Sequence, residues 1–363
     1  RLMKHVTGDA TSRKEIYEKL APVRVFASTI SSLCNQTELF SLKVIDVAII
    51  DEASQVLEPQ LLPLLCATTP VNRGDYNLNR LAIGKFILIG DHKQLPAVVS
   101  QPREMSRVTE DSLQAIGLTD CRNSLFERLH RLNSLQGTEG IVEMLHRQGR
   151  MHPSICEFVN RNYYNGGLDA VPLPHQQEPL AFGIRPDDDR WTAFVAGTRM
   201  AFISVQADEA EYYIKSNKRE AETVAHLVHT LCQLHSRSGI PFSPCRQIGI
   251  IVPFRAQIAM IRKALAERHI PDTADITIDT VERYQGSQRD IIIFSTTVSR
   301  PYQLPILSEP VMTDGRELDR KLNVALTRAR KQFFMTGNET LLRKCTAYRE
   351  FLDFLSKGQI LRL

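Results

Sequence analysis

The most constraining feature of this chain is a series of short, continuous apolar runs that stop abruptly at small or polar residues. Val23–Ala27 stops at Ser28-Thr29, Val44–Ile50 at Asp51-Glu52, and Phe86–Ile89 at Gly90-Asp91. Ala201–Val205, Ile248–Val252, Ile291–Phe294 and Phe333–Met335 continue the pattern, the last meeting Thr336-Gly337. Runs of this kind, β-rich and not alternating, predict strands buried on both faces of a parallel sheet. Helical stripes lie between them: Val224, Leu227, Val228 and Leu231 in one, Ile258, Ile261 and Leu265 in another. Alternating strand and helix implies right-handed βαβ units and an α/β fold. In such sheets ligands sit beyond the strand C-termini, where these polar residues collect.

A chain of 363 residues suits two domains. The boundary is expected at Gln136–Gly140, after the helix-like Ser124–Leu132, giving domains 1–137 and 138–363. Asp169–Arg199 breaks the rhythm with prolines, the acidic run Asp187–Asp189 and Trp191, and reads as a long loop or small excursion. Ala67–Ile83 reads as an exposed insertion between two strands. No apolar run reaches the roughly 18 residues of a membrane span, so no membrane association is expected. Arg1–His5 has no apolar signal-peptide core behind it, and the absent initial Met fits a piece of a longer chain. Seven scattered cysteines, never spaced C-x-x-C, fit free thiols in a reducing cytoplasm or nucleus. The net charge of +4 is compatible with nucleic acid and decides nothing alone.

Five segments carry chemistry. In Ile49–Ser54 a strand delivers Asp51 and Glu52: one acid can hold Mg²⁺ through water, and its neighbour can orient or deprotonate an attacking water. The blander reading is a strand end followed by a helix cap. Gly90–Pro96 places Gln94 where an amide can meet a terminal phosphate, or simply closes a Gly-Asp turn. Arg147–Pro153 leads an arginine into a helix, a geometry that can offer bidentate bonds to phosphate. Thr280–Asp290 holds Gly286, which permits close backbone approach, and Thr280, whose hydroxyl can reach a phosphate. In Leu322–Arg330, Arg328 and Arg330 are expected on different sides of a helix, one toward a phosphate and the other toward solvent.

In this order the segments resemble the motifs of superfamily 1 helicases, closest to the branch of the nonsense-mediated-decay RNA helicase and the Okazaki-fragment nuclease-helicase. The resemblance runs from about Val23 to Asn338. It implies two RecA-like domains with parallel sheets, the first incomplete at its N-terminus, that hold ATP and Mg²⁺ in a cleft and move along single-stranded DNA or RNA, 5′ to 3′. Carried over residue by residue, it makes Asp51 the Mg²⁺ position, Glu52 the catalytic base and Gln94 a γ-phosphate sensor. It makes Arg150 and Arg328 arginine fingers, sets Gln285 and Gly286 beside the nucleotide, and brings Ser28, Thr29 and Thr280 to the nucleic-acid backbone. Family members often place Glu where this chain has Gln288, which bonds a ribose hydroxyl without charge assistance. Asn217–Ala221 also matches a family element, in which Asn217 caps a helix and Glu220 completes a capping box.

No Gly-x-x-x-x-Gly-Lys-Ser/Thr occurs in the chain. Gly84-Lys85 is followed by Phe86, and Gly8–Lys14 has no second glycine. Without that loop's N–H groups and lysine most phosphate binding is missing, so the isolated chain is expected to be inactive. Either the loop and accessory domains lie outside these residues, or the chain is a helicase-derived binding or regulatory module without catalysis. A transporter-type ATPase is disfavoured, because no Leu-Ser-Gly-Gly-Gln is present. His226, His229, Cys232 and His235 recur at steps of three, which drift around a helix by roughly 60° each and favour packing over a shared metal. Phe254 reads as core rather than as a base-stacking platform.

Overall fold

The computed structural model describes residues 12–72, 75–206, 215–313 and 315–363. Contacts divide the chain into two compact units, Arg1–Glu143 and Met144–Leu363.

In the first unit, α1 (Arg13–Leu20) starts at Ser12, whose hydroxyl accepts from the Glu15 N–H in a closed capping box. The next segment corrects an expectation: Val23–Ala27 is not a strand. An apolar run becomes a parallel strand only where a neighbour completes its hydrogen-bond ladder. Here Val25 is 82% exposed, and the chain is held instead by Lys43, whose ammonium donates to the carbonyls of Leu20, Ala21 and Val23. Two short helices, α2 (Ile30–Cys34) and α3 (Glu38–Leu42), lead to β1 (Ile45–Ile50) and then α4 (Glu58–Leu65). The expected insertion is a hairpin of β2 (Thr68–Asn72) and β3 (Asp75–Leu81); Arg73 and Gly74 lie outside the described residues. β4 (Ile83–Leu88) runs parallel to β1, with Ile50 opposite Leu88. Phe40, Ile50, Leu61, Leu64 and Leu125 form the core on one face of this pair. α5 (Leu125–Gln136) begins with a capping box at Ser124 and ends at Gly137, whose φ of 63° a glycine adopts without strain.

The second unit opens with β5 (Arg147–Gln148), then α6 (Pro153–Tyr163) and β6 (Asp169–Ala170), which pairs with β5. The segment expected as a loop carries α7 (Arg190–Gly197). Its signal was Asp189, hidden in an acidic run, which accepts the Thr192 N–H at 2.6 Å as a helix cap. Trp191 then stacks on His226, and its N–H donates to the Thr230 hydroxyl at 2.7 Å. Next come β7 (Met200–Ser204), α8 (Lys218–Arg237), β8 (Ile248–Val252), α9 (Arg255–Glu267), β9 (Thr277–Thr280) and β10 (Arg289–Ser295). A small hairpin, β11 (Val311–Thr313) and β12 (Arg316–Leu318), precedes α10 (Arg320–Thr327), β13 (Ala329–Gly337), α11 (Thr346–Phe354) and β14 (Ile360–Arg362).

Six strands form one sheet in the order β14-β7-β13-β10-β8-β9, and every pairing in it is parallel. β7 and β8 are buried at all five positions each, as unbroken apolar runs require when both faces are covered. Val224, Leu227, Leu231, Ile261 and Leu265 of the helices cover Ala201, Ile250, Ile293 and Phe334 on one face. On the other, Phe333 and Phe158 each meet Phe351 edge to face. Thus the strands ending at Ile50 and near Ile89 belong to one sheet, and those ending at Val252, Phe294 and Met335 to another. No helix among the described residues is long and apolar enough to cross a membrane.

Candidate active site

In the first unit the carboxylates stand where β1 stops. Glu52 adopts the left-handed region at φ 53°, an uncommon conformation for a non-glycine residue that turns the chain sharply after the strand. The turn is stitched to the neighbouring strand, because Ala53 N–H donates to the Ile89 carbonyl at 2.7 Å and Ile89 N–H to that of Ile50 at 2.9 Å. Asp51 and Glu52 are both exposed; Asp51 accepts the Glu52 N–H at 2.9 Å, and Gln55 donates to the Glu52 carboxylate. A Cβ on Gly90 would fall 2.8 Å from the Ser54 nitrogen, so only glycine lets the second strand end approach this turn. Ser54 in return accepts the Asp91 N–H at 3.2 Å. The Asp91 carboxylate accepts from the Lys93 N–H at 2.9 Å and from the Gln94 amide at 2.8 Å, which fixes Gln94 beside Asp91. Thr29 caps α2 by accepting the Ser32 N–H at 3.2 Å, and Ser28 donates to the Thr29 carbonyl; both residues are exposed.

In the second unit three separated segments meet at the N-terminal ends of β10 and β13. Arg150 donates from Nε to the Gln288 side chain at 3.0 Å and from Nη1 to the Thr327 carbonyl at 3.3 Å. Its own N–H is held by the Gln148 side chain at 3.0 Å. Arg328 is 2% exposed and donates to Val324 O and Thr327 Oγ1, both at 3.2 Å, and to Ser287 O at 3.5 Å. Gly286 has φ 79° with open space where a Cβ would stand. Beside it, the Nε2 of Gln285 is buried without a hydrogen-bond partner. A buried donor left unpaired is costly, and it marks a place for an acceptor.

One expectation fails here. Arg328 and Arg330 do not share a helix: α10 ends at Thr327, Arg328 caps it, and Arg330 already belongs to β13. Arg330 does not face solvent alone but pairs with Asp290 at 3.0 Å. Sequence reading missed His175, in the short helix Pro174–Gln177, whose ring joins the Arg150 carbonyl at 3.0 Å and Arg330 at 3.4 Å, because a single histidine carries no local pattern. His152 caps α6 through Nδ1, and burial, then the charges of Arg199 and His175, push its pKa down to about 4, leaving it neutral at physiological pH. Thr280 stands apart from this group: it ends β9, and in an all-parallel sheet that is the opposite edge. Tyr284 is fully buried, donates to the Thr277 carbonyl at 2.7 Å, and is pushed up to about 12, mainly by burial; Phe254 is core. His235 stacks on Phe242 and His226 on Trp191, so those histidines pack rather than cluster.

Two family models, each described as an AAA domain, match residues 4–102 and 121–340. The chain belongs to the AAA-domain family. Within that family it falls in the superfamily 1 helicase branch, near the nonsense-mediated-decay and Okazaki-nuclease helicases, and its domains are RecA-like α/β folds built on parallel sheets. It is 28% identical to yeast DNA polymerase alpha-associated DNA helicase A over 92% of this chain and 45% of that protein. The mouse DNA replication ATP-dependent helicase/nuclease DNA2 is 28% identical over 89% of this chain and 27% of that protein. The mouse 3'-5' exoribonuclease HELZ2 is 29% identical over 90% of the chain and 10% of its own length. This AAA-domain chain therefore spans less than half the length of these relatives. The solved structure of PRRSV helicase aligns with 82% of this chain and 36% of its own at 13% identity, with a TM-score of 0.36.

Proposed function

We propose that this chain is the motor portion of an ATP-dependent superfamily 1 helicase that moves along single-stranded DNA or RNA, 5′ to 3′, in the reducing cytoplasm or nucleus. The observation that carries the reading is the convergence of Arg150 and Arg328 on the segment after Gly286, where Arg150 bonds the Gln288 side chain and Arg328 the Ser287 carbonyl. Basic forks, an unpaired amide donor and open space at Gly286 fit a nucleotide, and the exposed elbow at Asp51 and Glu52 fits a hydrated Mg²⁺. ATP and Mg²⁺ supply the phosphoryl bond and the counter-charge. Asp51 would hold Mg²⁺ through water, and Glu52 would accept a proton from the attacking water. Gln94 reads the terminal phosphate from its place against Asp91. Arg150 and Arg328 offset charge that grows in the transition state, while Gln285, Gly286 and Gln288 line the nucleotide. Ser28, Thr29 and Thr280 meet the strand's backbone, with further domains of the same protein outside residues 1–363.

Because the sequence contains no phosphate loop, residues 1–363 alone bind single strands and turn over ATP negligibly. A helicase-derived binding module is the second reading, and that missing loop is what favours it. Strand-stimulated ATP hydrolysis separates the two: the complete protein turns over and Glu52→Gln does not. Robust turnover by residues 1–363 alone, abolished by the same substitution, contradicts this account of the loop.

A further inference from the structure

Glu220 is predicted by spacing to close a capping box, and it does not. Asn217 caps α8 alone, accepting the Glu220 N–H at 3.0 Å, while the Glu220 carboxylate turns inward and is 0% exposed. One of its oxygens accepts from the hydroxyls of Ser295 and Thr336, each at 2.9 Å, and both oxygens accept the Thr297 N–H at 3.0 Å. The carboxylate thus ties the first turn of α8 to the C-terminal ends of β10 and β13. Gln257 of α9, also 0% exposed, completes the knot by bonding both backbone groups of Asn217 and the Ser295 hydroxyl.

Burying a carboxylate among neutral donors is an expensive way to hold three elements together, and burial raises the Glu220 pKa to about 7. What the carboxylate offers is an acceptor with two equivalent oxygens. Both grip Thr297, a β-branched residue held at φ 63°, in the left-handed region that such residues avoid. The turn that follows is fixed from its other side, where the Gln303 side chain accepts the N–H groups of Ser299 at 2.8 Å and Arg300 at 2.9 Å. Arg300 emerges exposed beyond the end of β10. The exposed Lys218, Arg219 and Arg255 start the helices that abut the same edge, where Thr280 ends β9.

We propose that Glu220 is a positioning residue for nucleic acid: by fixing Thr297 it sets the turn that offers Arg300 to a strand's phosphate backbone. This rests on the reading of that sheet edge as the nucleic-acid face. Phosphate contact by a cation carries affinity and its salt dependence.

The test measures anisotropy of short fluorescein-labelled oligo-U and oligo-dT strands titrated with the 363-residue chain across a salt series. Arg300→Ala loosens binding about five- to tenfold and lowers the log–log salt slope by about 0.7, the share of one contact on a single strand. Glu220→Ala and the fold-sparing Glu220→Asp reproduce both changes, Glu220→Gln recovers most of the affinity, and Glu220→Ala with Arg300→Ala binds no more weakly than Arg300→Ala alone. Wild-type affinity in Glu220→Asp, or losses that multiply in the double variant, overturns the positioning role while the face stands. Wild-type affinity in both Arg300→Ala and Thr280→Ala overturns the face itself and the proposal with it.

Discussion

The two units hold their chemistry in opposite ways. The first unit places Asp51 and Glu52 on an exposed elbow at the end of a two-stranded sheet. One face of that sheet packs a core, while Val47, Ile49 and Ile87 on its other face are 43%, 65% and 43% exposed. The second unit holds Arg328 at 2% exposure on a six-stranded sheet covered on both faces. In the proposed hydrolysis, carboxylates that would work with water and a hydrated metal suit an open turn. Guanidinium groups that would act at fixed positions gain from a rigid frame, because electrostatic stabilisation depends on donors oriented before the reaction. The contrast teaches that orientation in the first unit comes from a few backbone bonds and the space at Gly90, and in the second from deep packing.

The largest effect expected from this contrast is at Arg328. In the complete protein Arg328→Ala lowers kcat on the order of 10³-fold or more, and Arg328→Lys rescues poorly because an ammonium lacks the planar fork. Steady-state ATPase assays with saturating strand check this, with thermal melts confirming the fold. Near-normal turnover would reduce Arg328 to a packed helix cap. Next, Phe333→Ala in the doubly covered sheet costs about 3–5 kcal/mol in denaturant melts. Ile49→Ala on the exposed face changes stability by less than about 0.5 kcal/mol. An Ile49→Ala loss of several kcal/mol would mean that this face is covered, and the comparison of frames would break.

A smaller effect is set by pH. With its folded pKa raised to about 7 from the ordinary 4.5, Glu220 keeps a proton in the folded state that the unfolded chain releases. Its contribution to stability is therefore present at low pH and is lost as pH rises through about 7. His152, lowered to about 4 from 6.5, acts the other way, but only at and below the ordinary histidine range. Melts between pH 6.5 and about 8 are therefore read as the difference between the wild type and Glu220→Gln, in which every other titrating group is shared. The wild type loses more stability over that interval than Glu220→Gln does, and parallel profiles would contradict the assignment.

The sheet of the second unit was legible because doubly buried parallel strands leave unbroken apolar runs, and Ile248–Val252 and Ile291–Phe294 need no partner to be recognised. Val23–Ala27 shows the limit of that signal, since apolarity without a neighbouring ladder does not make a strand. The Asn217-to-Glu220 spacing was read correctly for the cap and wrongly for the carboxylate. Its partners, Ser295 and Thr336, lie 75 and 116 residues away, and no local pattern announces them. The sequence puts Arg328 and Arg330 on one helix because the change to strand falls between them, at a small residue, Ala329, that fits either state. Conversely, the meeting of Arg150 with Gln288 spans 138 residues, and only the order of the motifs pointed to it.

The proposed function makes Glu52 and Arg328 serve one ATP hydrolysis. It is tested most directly by a double-variant cycle on strand-stimulated ATPase of the complete protein: Glu52→Gln, Arg328→Ala and both together. Groups that serve one transition state are strongly non-additive. The expected result is that each single variant falls to nearly the same residual rate as the double, with the strand still bound. Losses that multiply in the double, or a single variant that keeps wild-type turnover, would contradict the account.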